Sequence, residues 1–259
     1  MVHNKIKAGL HDGIPIAAGY FSVSFTFGMM AVQDGISPFH AVLISLLNLT
    51  SAGQFAGLTV IVTGASLFEM ALTQLVINIR YALMSVSLSQ KLDKSVKSFQ
   101  RMLIAYGNTD EIFAVASSKP GTVGAKYMLG LIMLPVAGWV GGTLTGAVAS
   151  TLLPTAVISA LGVALYGMFV AIVVPAAKES REVLIVSGAA AILSTAFYYL
   201  PVLCDISSGF TIIICTVGAA GFLTAVILAL RKKSLITVAG FACIAVFIVE
   251  RILEMFPGY

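Results

Sequence analysis

Charged residues are scarce in this chain of 259 residues: they make up 10% of it, whereas a soluble domain carries about 25%. Hydrophobic residues make up 59%, and the mean hydropathy is +1.01. Such a chain lacks the polar surface that a folded domain presents to water, which excludes a sizeable soluble domain. The sequence therefore predicts an all-α polytopic membrane protein, built as a single transmembrane domain over residues 1–259.

Residues that commonly build metal and catalytic centres are also few. The three histidines form no cluster, and Cys204, Cys215 and Cys243 show no paired or metal-type spacing. The chain lacks a Walker loop, a dinucleotide glycine fingerprint and a serine nucleophile elbow. We therefore expect no metal, no cofactor, no ATP hydrolysis and no enzymatic activity.

Apolar runs that approach or exceed the roughly 20 residues needed to cross a bilayer recur along the chain. They predict about seven to nine hydrophobic segments, of which one or two are broken or re-entrant. Residues 234–259 form an additional apolar segment, either a short final span or an interfacial helix. The candidate segments are Ile14–Val32, Ala41–Thr63, Leu67–Gln90, Met102–Ser117, Tyr127–Ser150, Thr155–Ala177, Val183–Cys204, Ile206–Leu230 and Leu235–Val249.

The distribution of lysine and arginine predicts the orientation. The N-terminus and the connections at residues 91–101, 119–126, 178–181 and 231–233 are basic, whereas the connection at Asp34 is not. This pattern indicates a cytoplasmic N-terminus and an external Asp34. If Ala41–Thr63 and Met102–Ser117 are broken or re-entrant, the basic connection 91–101 also falls inside. The alternative is a set of ordinary spans with one exception to the charge rule.

Polar residues interrupt the second hydrophobic segment, in the run Asn48-Leu49-Thr50-Ser51-Ala52-Gly53-Gln54. Hydrocarbon offers such groups no water, so they must face protein, a cavity or a solute. If the helix unwinds here, its free N–H groups can hold a carboxylate and its free C=O groups an ammonium. Hydrogen bonds between packed helices are the alternative. The candidate solute-binding residues are Asn48, Ser51, Gly53 and Gln54.

Arg80 lies near the middle of the segment Leu67–Gln90, on a stripe beside Asn78 and Tyr81. An unpaired arginine at the bilayer centre costs roughly 2.5–3.5 kcal/mol, so it needs a partner. The available acids follow the interruption Gly107-Asn108-Thr109. Arg80 either pairs with one of them or receives a carboxylate from the solute, and a purely structural ion pair is the alternative. The further candidate site residues are Asn78, Arg80, Tyr81, Asp110 and Glu111.

Gly138, Gly142 and Gly146 recur at every fourth position of one predicted helix. Small residues at this spacing let helix backbones approach closely in lipid. We interpret the stripe as a tight static contact, with a sliding surface or a subunit contact as alternatives.

Four motifs in order resemble a known family: Gly28…Ala31…Gly35-Ile36-Ser37-Pro38, Ser51-Ala52-Gly53-Gln54, Asn78-Ile79-Arg80-Tyr81 and Thr109-Asp110-Glu111. The chain resembles the large subunit of bacterial branched-chain amino acid exporters, the azaleucine-resistance (AzlC-type) permeases, with residues 1–233 as the family-like core. This resemblance implies multi-pass insertion in the inner membrane and export of leucine, isoleucine and valine, with methionine as a further candidate. It also implies a small multi-span membrane partner subunit.

The combined prediction is a secondary transporter that exports branched-chain amino acids by alternating access, driven by a proton gradient. A zwitterionic solute needs an anionic contact, a cationic or dipolar contact and an apolar pocket, and the candidate residues include both kinds of polar contact. A channel-like pore for a small neutral solute is one alternative. A non-transporting membrane subunit that stabilises a partner is the other.

Overall fold

The computed structural model describes residues 2–154, 157, 170, 174–175, 177–200, 203 and 205–230. Most of the predicted segment 155–177 and the whole C-terminal segment 234–259 lie outside these residues. The described part is almost entirely helical, with two short strands, β1 (Val2–His3) and β2 (Thr122–Val123), which confirms the all-α class. The helices are α1 (Ile6–Gln33), α2 (Pro38–Leu47), α3 (Ser51–Val62), α4 (Leu67–Lys91), α5 (Ser98–Tyr106), α6 (Asp110–Ser118), α7 (Ala125–Ala149), α8 (Arg181–Tyr199) and α9 (Ser208–Leu230).

Within the described residues, three helices are long and apolar enough to cross a membrane. They are α1, α4 and α7, with 28, 25 and 25 residues. Helices α2, α3 and α8 and the first part of α9 are apolar but shorter. The predicted spans at 14–32, 67–90 and 127–150 therefore correspond to continuous helices.

The second predicted segment is broken at Asn48–Thr50, between α2 and α3. The Asn48 Oδ1 atom accepts hydrogen bonds from the backbone N–H of Thr50, at 3.2 Å, and from its hydroxyl, at 2.8 Å. Such a local turn gives the backbone an alternative to helical bonding, which is why asparagine and threonine favour helix ends. The predicted interruption at this position is confirmed.

The segment at 102–117 is broken in the same way, at Gly107–Thr109 between α5 and α6. The four short helices α2, α3, α5 and α6 have 10, 12, 9 and 9 residues. At a rise of 1.5 Å per residue each is about 13–18 Å long, well short of a hydrocarbon core of about 30 Å. The prediction of two broken segments is therefore confirmed.

The chain folds as two compact units, residues 1–58 with 77–165 and residues 59–76 with 166–259. The second unit contains α8 and α9, which pack through a cluster of Phe197, Ile214 and Cys215. The first unit contains both helix breaks and is described in the following paragraphs. The interpretation of residues 1–259 as a single domain stays a prediction.

Helices α1 and α7 of the first unit lie side by side and run parallel. Gly138, Gly142 and Gly146 face the backbones of Ala17, Phe21 and Phe25 respectively, so closely that a side chain at any of them meets main-chain atoms of α1. Gly9, Gly13 and Gly28 of α1 face the α7 backbone in the same manner. The predicted close contact is confirmed. It lies within one chain, so the subunit-contact interpretation of the α7 stripe is wrong.

Three basic parts of the chain meet at one end of the first unit. Strand β1 pairs in parallel with β2, and Leu92 bridges to Val123. The Nζ atom of Lys91 donates to the backbone oxygen of Lys119 at 2.5 Å, and the Nζ atom of Lys119 lies 2.8 Å from Asp12 Oδ2. The N-terminus, the connection after α4 and the connection after α6 therefore share one end, which we call the basic end.

The pair α5–α6 begins and ends at the basic end. Helix α5 follows the 92–97 connection, and α6 stops at Ser118, directly before Lys119. The basic connection 91–101 thus lies at the same end as the N-terminus, as the interpretation with broken segments predicts. The ordinary-span interpretation, which places this connection opposite the N-terminus, is wrong.

We expect Gly142→Ala to lower the free energy of unfolding by about 1–3 kcal/mol, because overpacking forces a backbone shift. A Cβ atom at Gly142 lies 3.0 Å from the Phe21 carbonyl carbon and closer still to its oxygen. The matched control is Gly141→Ala, one residue away on the same helix, where no atom lies within 4 Å. Thermal unfolding of the detergent-solubilised chain measures both, and equal melting temperatures for the two variants would contradict this packing.

Cysteine labelling tests the arrangement of the ends in a background in which the native cysteines are replaced. We expect Lys94→Cys and Ser117→Cys, which are exposed next to the basic end, to label from the side of the N-terminus. Asp34→Cys, after the far end of α1, should label from the other side. Labelling of Lys94→Cys and Asp34→Cys from the same side would refute the broken-segment topology.

Candidate solute site at two helix breaks

Gln54 lies just after the break at Asn48–Thr50 and is 2% exposed. Its side-chain oxygen accepts a hydrogen bond from Trp139 Nε1 at 3.0 Å, and its Nε2 atom donates to Ser45 Oγ at 2.6 Å. The Ser45 hydroxyl lies 2.6 Å from Thr143 Oγ1. This buried chain of hydrogen bonds ties α2 and α3, on either side of the break, to α7.

Tyr20 of α1 plays the corresponding part at the second break. Its hydroxyl oxygen lies 2.5 Å from Thr109 Oγ1 and 2.5 Å from Glu111 Oε2. A tyrosine hydroxyl has one proton and two acceptor lone pairs, so donation of that proton to Glu111 leaves the Tyr20 oxygen free to accept from the Thr109 hydroxyl. The Thr109 hydroxyl is thereby drawn to α1, and it makes no capping bond to the helix that it precedes.

Tyr20 and Trp139 join the two breaks. Their rings meet edge to face with centroids 5.4 Å apart, an arrangement that adds about 0.5–1.5 kcal/mol to simple burial. Leu49, inside the first break, packs in the same buried cluster. We call this continuous set the break network. It consists of Tyr20, Ser45, Leu49, Gln54, Thr109, Glu111, Trp139 and Thr143.

A further bond connects the broken segments directly. The hydroxyl of Tyr106, the last residue of α5, donates to the backbone oxygen of Leu46 at 2.5 Å. Leu46 lies in the last turn of α2, where carbonyl groups have no partner within the helix. A residue beside one break thus satisfies the backbone beside the other.

Arg80 and Asp110 form an ion pair in which Nη1 lies 2.7 Å from Oδ2, and their side chains are 49% and 42% exposed. The guanidinium also lies over the Tyr81 ring, 5.1 Å from its centroid. Asp110 begins α6, where the helix dipole favours negative charge. The predicted pairing of Arg80 with an acid of the 107–111 motif is confirmed, and both side chains are partly exposed.

The structure separates the predicted residues into two groups in the first unit. Gln54 and Glu111 belong to the break network, while Arg80, Tyr81 and Asp110 form the ion-pair group. The Gln54 amide is bonded at both ends to packed helices, as the alternative interpretation predicts. The role of all nine residues in solute binding stays a prediction. The other four are Asn48, held in its local turn, Ser51 at the start of α3, Gly53, buried in α3, and Asn78, partly buried in α4.

Asn108 is a residue of this region that the sequence did not single out as a ligand. It is 4% exposed, its Nδ2 atom donates to Ser85 Oγ at 3.1 Å, and its Oδ1 atom has no hydrogen-bond partner among the described residues. Buried acceptors are nearly always bonded, so the open Oδ1 atom of Asn108, two residues before Asp110, is an unusual feature of the second break. Its place within the Gly107–Thr109 interruption is the sequence signal that marks it.

Tyr20 and Trp139 were missed for a different reason. Aromatic residues in spanning helices are usually packing residues, and the sequence gives no indication of which two helices lie side by side. The sequence did distinguish one of them, because Trp139 is the single tryptophan of the chain. Their hydrogen bonds, not their rings alone, distinguish them from the packing aromatics.

These features define an α-helical membrane protein with two broken segments joined across a pair of parallel helices. The family model described as "AzlC protein" matches residues 15–153, a range that contains both breaks. The chain belongs to the AzlC family, whose members are membrane proteins consistent with a transporter-related role. The predicted resemblance is thereby confirmed.

Named relatives cover most of the chain. The inner membrane protein YgaZ of Escherichia coli (strain K12) is 31% identical over 203 residues, which are 75% of this chain and 82% of YgaZ. An uncharacterized membrane protein of Archaeoglobus fulgidus is 33% identical over 190 residues, 73% of this chain and 83% of its own length. No solved structure matches the chain significantly. Location in a membrane is therefore shared with these relatives.

We expect Tyr20→Phe to destabilise the protein, because it removes the hydroxyl that bonds Thr109 and Glu111. A hydrogen bond to a charged group contributes about 1.5–3 kcal/mol, so a clear fall in melting temperature should follow. Tyr198→Phe is the matched control, since Tyr198 is 76% exposed on α8. If Tyr20→Phe melts like the control, the bond between α1 and α6 does not stabilise the site.

Proposed function

We propose that this protein is a secondary transporter that exports branched-chain amino acids across the cytoplasmic membrane by alternating access, coupled to protons. The observation that carries the proposal is that one network of side chains joins the two helix breaks, with a half-exposed ion pair beside one of them. Broken helices that line a polar site are a recurring device of secondary transporters. Membership of the AzlC family supports the transporter-related role, and the choice of solute rests on the family resemblance.

A zwitterion suits the ion-pair group because it can replace one ion pair by two. Its carboxylate would take the place of Asp110 on Arg80, and its ammonium would pair with Asp110 or Glu111. No charge is then left without a partner in a region where an isolated charge is costly. The open Oδ1 acceptor of Asn108 would take a further ammonium proton, and the apolar side chain would lie against the aromatic residues.

Alternating access in this proposal moves the half-helices and leaves α1 and α7 fixed. The glycine contacts hold these two backbones against each other and leave no room for rearrangement. The breaks at Asn48–Thr50 and Gly107–Thr109 are the positions where short helices can turn. Breaking and remaking the bond between Tyr20 and Glu111 would accompany each movement of α6.

The proposed topology follows from counting crossings. Helix α1 leaves the basic end, and α4 returns to it, so α2–α3 between them makes no net crossing if α4 spans the membrane. The pair α5–α6 enters from the basic end, which the charge rule assigns to the cytoplasm. The two pairs would then enter from opposite sides, each reaching about half the thickness of the membrane.

Two other functions stay in consideration, and each has a distinct signature. A pore for a small neutral solute would conduct without saturation and without need for the ion pair. A non-transporting subunit would bind no amino acid, and the ion pair would be purely structural. A small multi-span membrane subunit is the partner that we propose for the transporter itself.

Trp139 provides the test, because it is the single tryptophan and lies between the two breaks. We expect leucine, isoleucine and valine to change its fluorescence in a saturable manner in the purified full-length chain, with lysine and glutamate ineffective. Arg80→Ala and Asp110→Asn should each abolish the response because each removes one contact to the zwitterion. Lys94→Ala, which removes an exposed charge at the basic end, is the matched control.

Counterflow in proteoliposomes that also contain the partner subunit separates the alternatives. Saturable exchange of labelled leucine or valine supports the transporter, whereas flux that unlabelled amino acid does not affect indicates a pore. A charge-swapped chain with Arg80→Asp and Asp110→Arg should fold but not transport. Normal transport by the swapped chain would show that the pair is structural and that the solute binds elsewhere.

A further inference from the structure

The second unit contains a buried carboxylate that is not a member of the break network. Glu69, in the first turn of α4, is 4% exposed. Its Oε1 atom accepts hydrogen bonds from the Ser207 hydroxyl at 2.5 Å and from the Gly209 backbone N–H at 2.9 Å. Both donors lie at the start of α9, where the helix dipole favours a negative charge. Among the described residues, no lysine, arginine or histidine forms an ion pair with Glu69.

Thr73 places an open hydroxyl beside this carboxylate. It lies one turn after Glu69 on the same face of α4, is 0% exposed, and its Oγ1 atom has no hydrogen-bond partner in the described part of the chain. A Cβ atom on Gly209 would lie against Glu69 Oε1 and 2.8 Å from Thr73 Oγ1. The carboxylate and the open hydroxyl therefore share the space that this glycine leaves.

The elements that supply the contacts of Glu69 carry few charged residues. Asp205, two residues before Ser207, is exposed and is the one charged residue of the segment that leads into α9. The next charged residue along α4 is Arg80, about three turns away. Cys215, the titratable residue of α9, packs against Phe197 and Ile214. Glu69 is thus the carboxylate enclosed at this site.

We propose that Glu69 is the proton-binding site of the transporter, with Thr73 as the hydrogen-bond acceptor of the protonated state; this inference rests on the proposed function. In the ionised state, the carboxylate accepts from Ser207 and Gly209. When a proton from water adds to it, the neutral carboxyl group gains an O–H donor, and Thr73 Oγ1 is the buried acceptor open to it. On release the proton returns to water and the bonding electrons stay on the carboxylate.

This arrangement differs from a simple helix cap in one respect. A cap needs only the two donors of α9, and a glutamine side chain supplies the same kind of accepting oxygen. A proton site needs a carboxyl group that can bind and release a proton. A neighbouring hydrogen-bond acceptor stabilises the neutral, protonated state of that group. Buried ionisable residues in membrane segments commonly serve as proton relays. Glu69→Gln separates the two roles because it keeps the cap and removes the titration.

Infrared difference spectroscopy of the full-length chain in lipid, recorded between acidic and neutral pH, measures the site without any transport. We expect a carboxyl C=O band that appears on acidification in the native protein and is lost in Glu69→Gln. Thr73→Val should shift the position of this band, because the protonated carboxyl loses its acceptor. Glu179→Gln, at an exposed carboxylate, is the matched control and should leave the band in place.

The transport readout uses the same variants in proteoliposomes with the partner subunit. Glu69→Gln should still exchange labelled leucine for unlabelled leucine but lose accumulation driven by a pH gradient. A native protein whose buried band titrates but that moves no amino acid would overturn the proposed function and leave the proton site standing. A native protein without a titrating buried band, or a band unchanged in folded Glu69→Gln, would overturn the proton site.

Discussion

An unwound backbone inside a membrane has to find its hydrogen-bond partners in the protein, because hydrocarbon supplies none. This chain unwinds twice, at Asn48–Thr50 and at Gly107–Thr109, and at the first break side chains bond backbone groups that the helices leave open. Tyr106, beside the second break, bonds the backbone beside the first. Tyr20 and Trp139 stand between the breaks and bond one on each side. The two breaks therefore depend on each other and on the helices that carry these two residues.

The parallel packing of α1 and α7 holds Tyr20 and Trp139 in place. Glycines from both helices face the opposite backbone, so the main chains touch along much of their length. Close packing of this kind tolerates little change of volume, since interiors are packed as densely as organic crystals. The positions of the two aromatic rings are consequently fixed by backbone contacts. The short half-helices on either side are joined to these two helices by side-chain hydrogen bonds.

The sequence predicted the breaks because two separate physical rules agreed on them, polar interruption of an apolar run and the placement of basic connections. It predicted a partner for Arg80 at Asp110, at Glu111 or on the solute, because acids are scarce in so apolar a chain, and the structure places Arg80 against Asp110. It did not predict Tyr20 or Trp139, since periodicity within one helix carries no information on which other helix lies beside it. Gln54 shows the same limit. From the sequence it is a candidate ligand, and only the structure shows that its amide bonds Trp139, 85 residues along the chain.

The energies of these contacts indicate which motion is accessible. Separating α6 from α1 at Tyr20 breaks the hydrogen bonds of its hydroxyl to Thr109 and to Glu111, and a bond to a charged group contributes about 1.5–3 kcal/mol. Conformations that differ by a few kcal/mol keep the minor state populated at about 0.1–10%, and the movement of α6 that we propose would lie within this range. Separating α1 from α7 would instead open a backbone contact along several turns. It would also pull Tyr20 away from Trp139 and so disconnect the two breaks. In the proposed transporter, a solute that engages Arg80 and Asp110 at the start of α6 would act on the element held by fewer contacts, and it would shift the population by the difference in its affinity for the two positions.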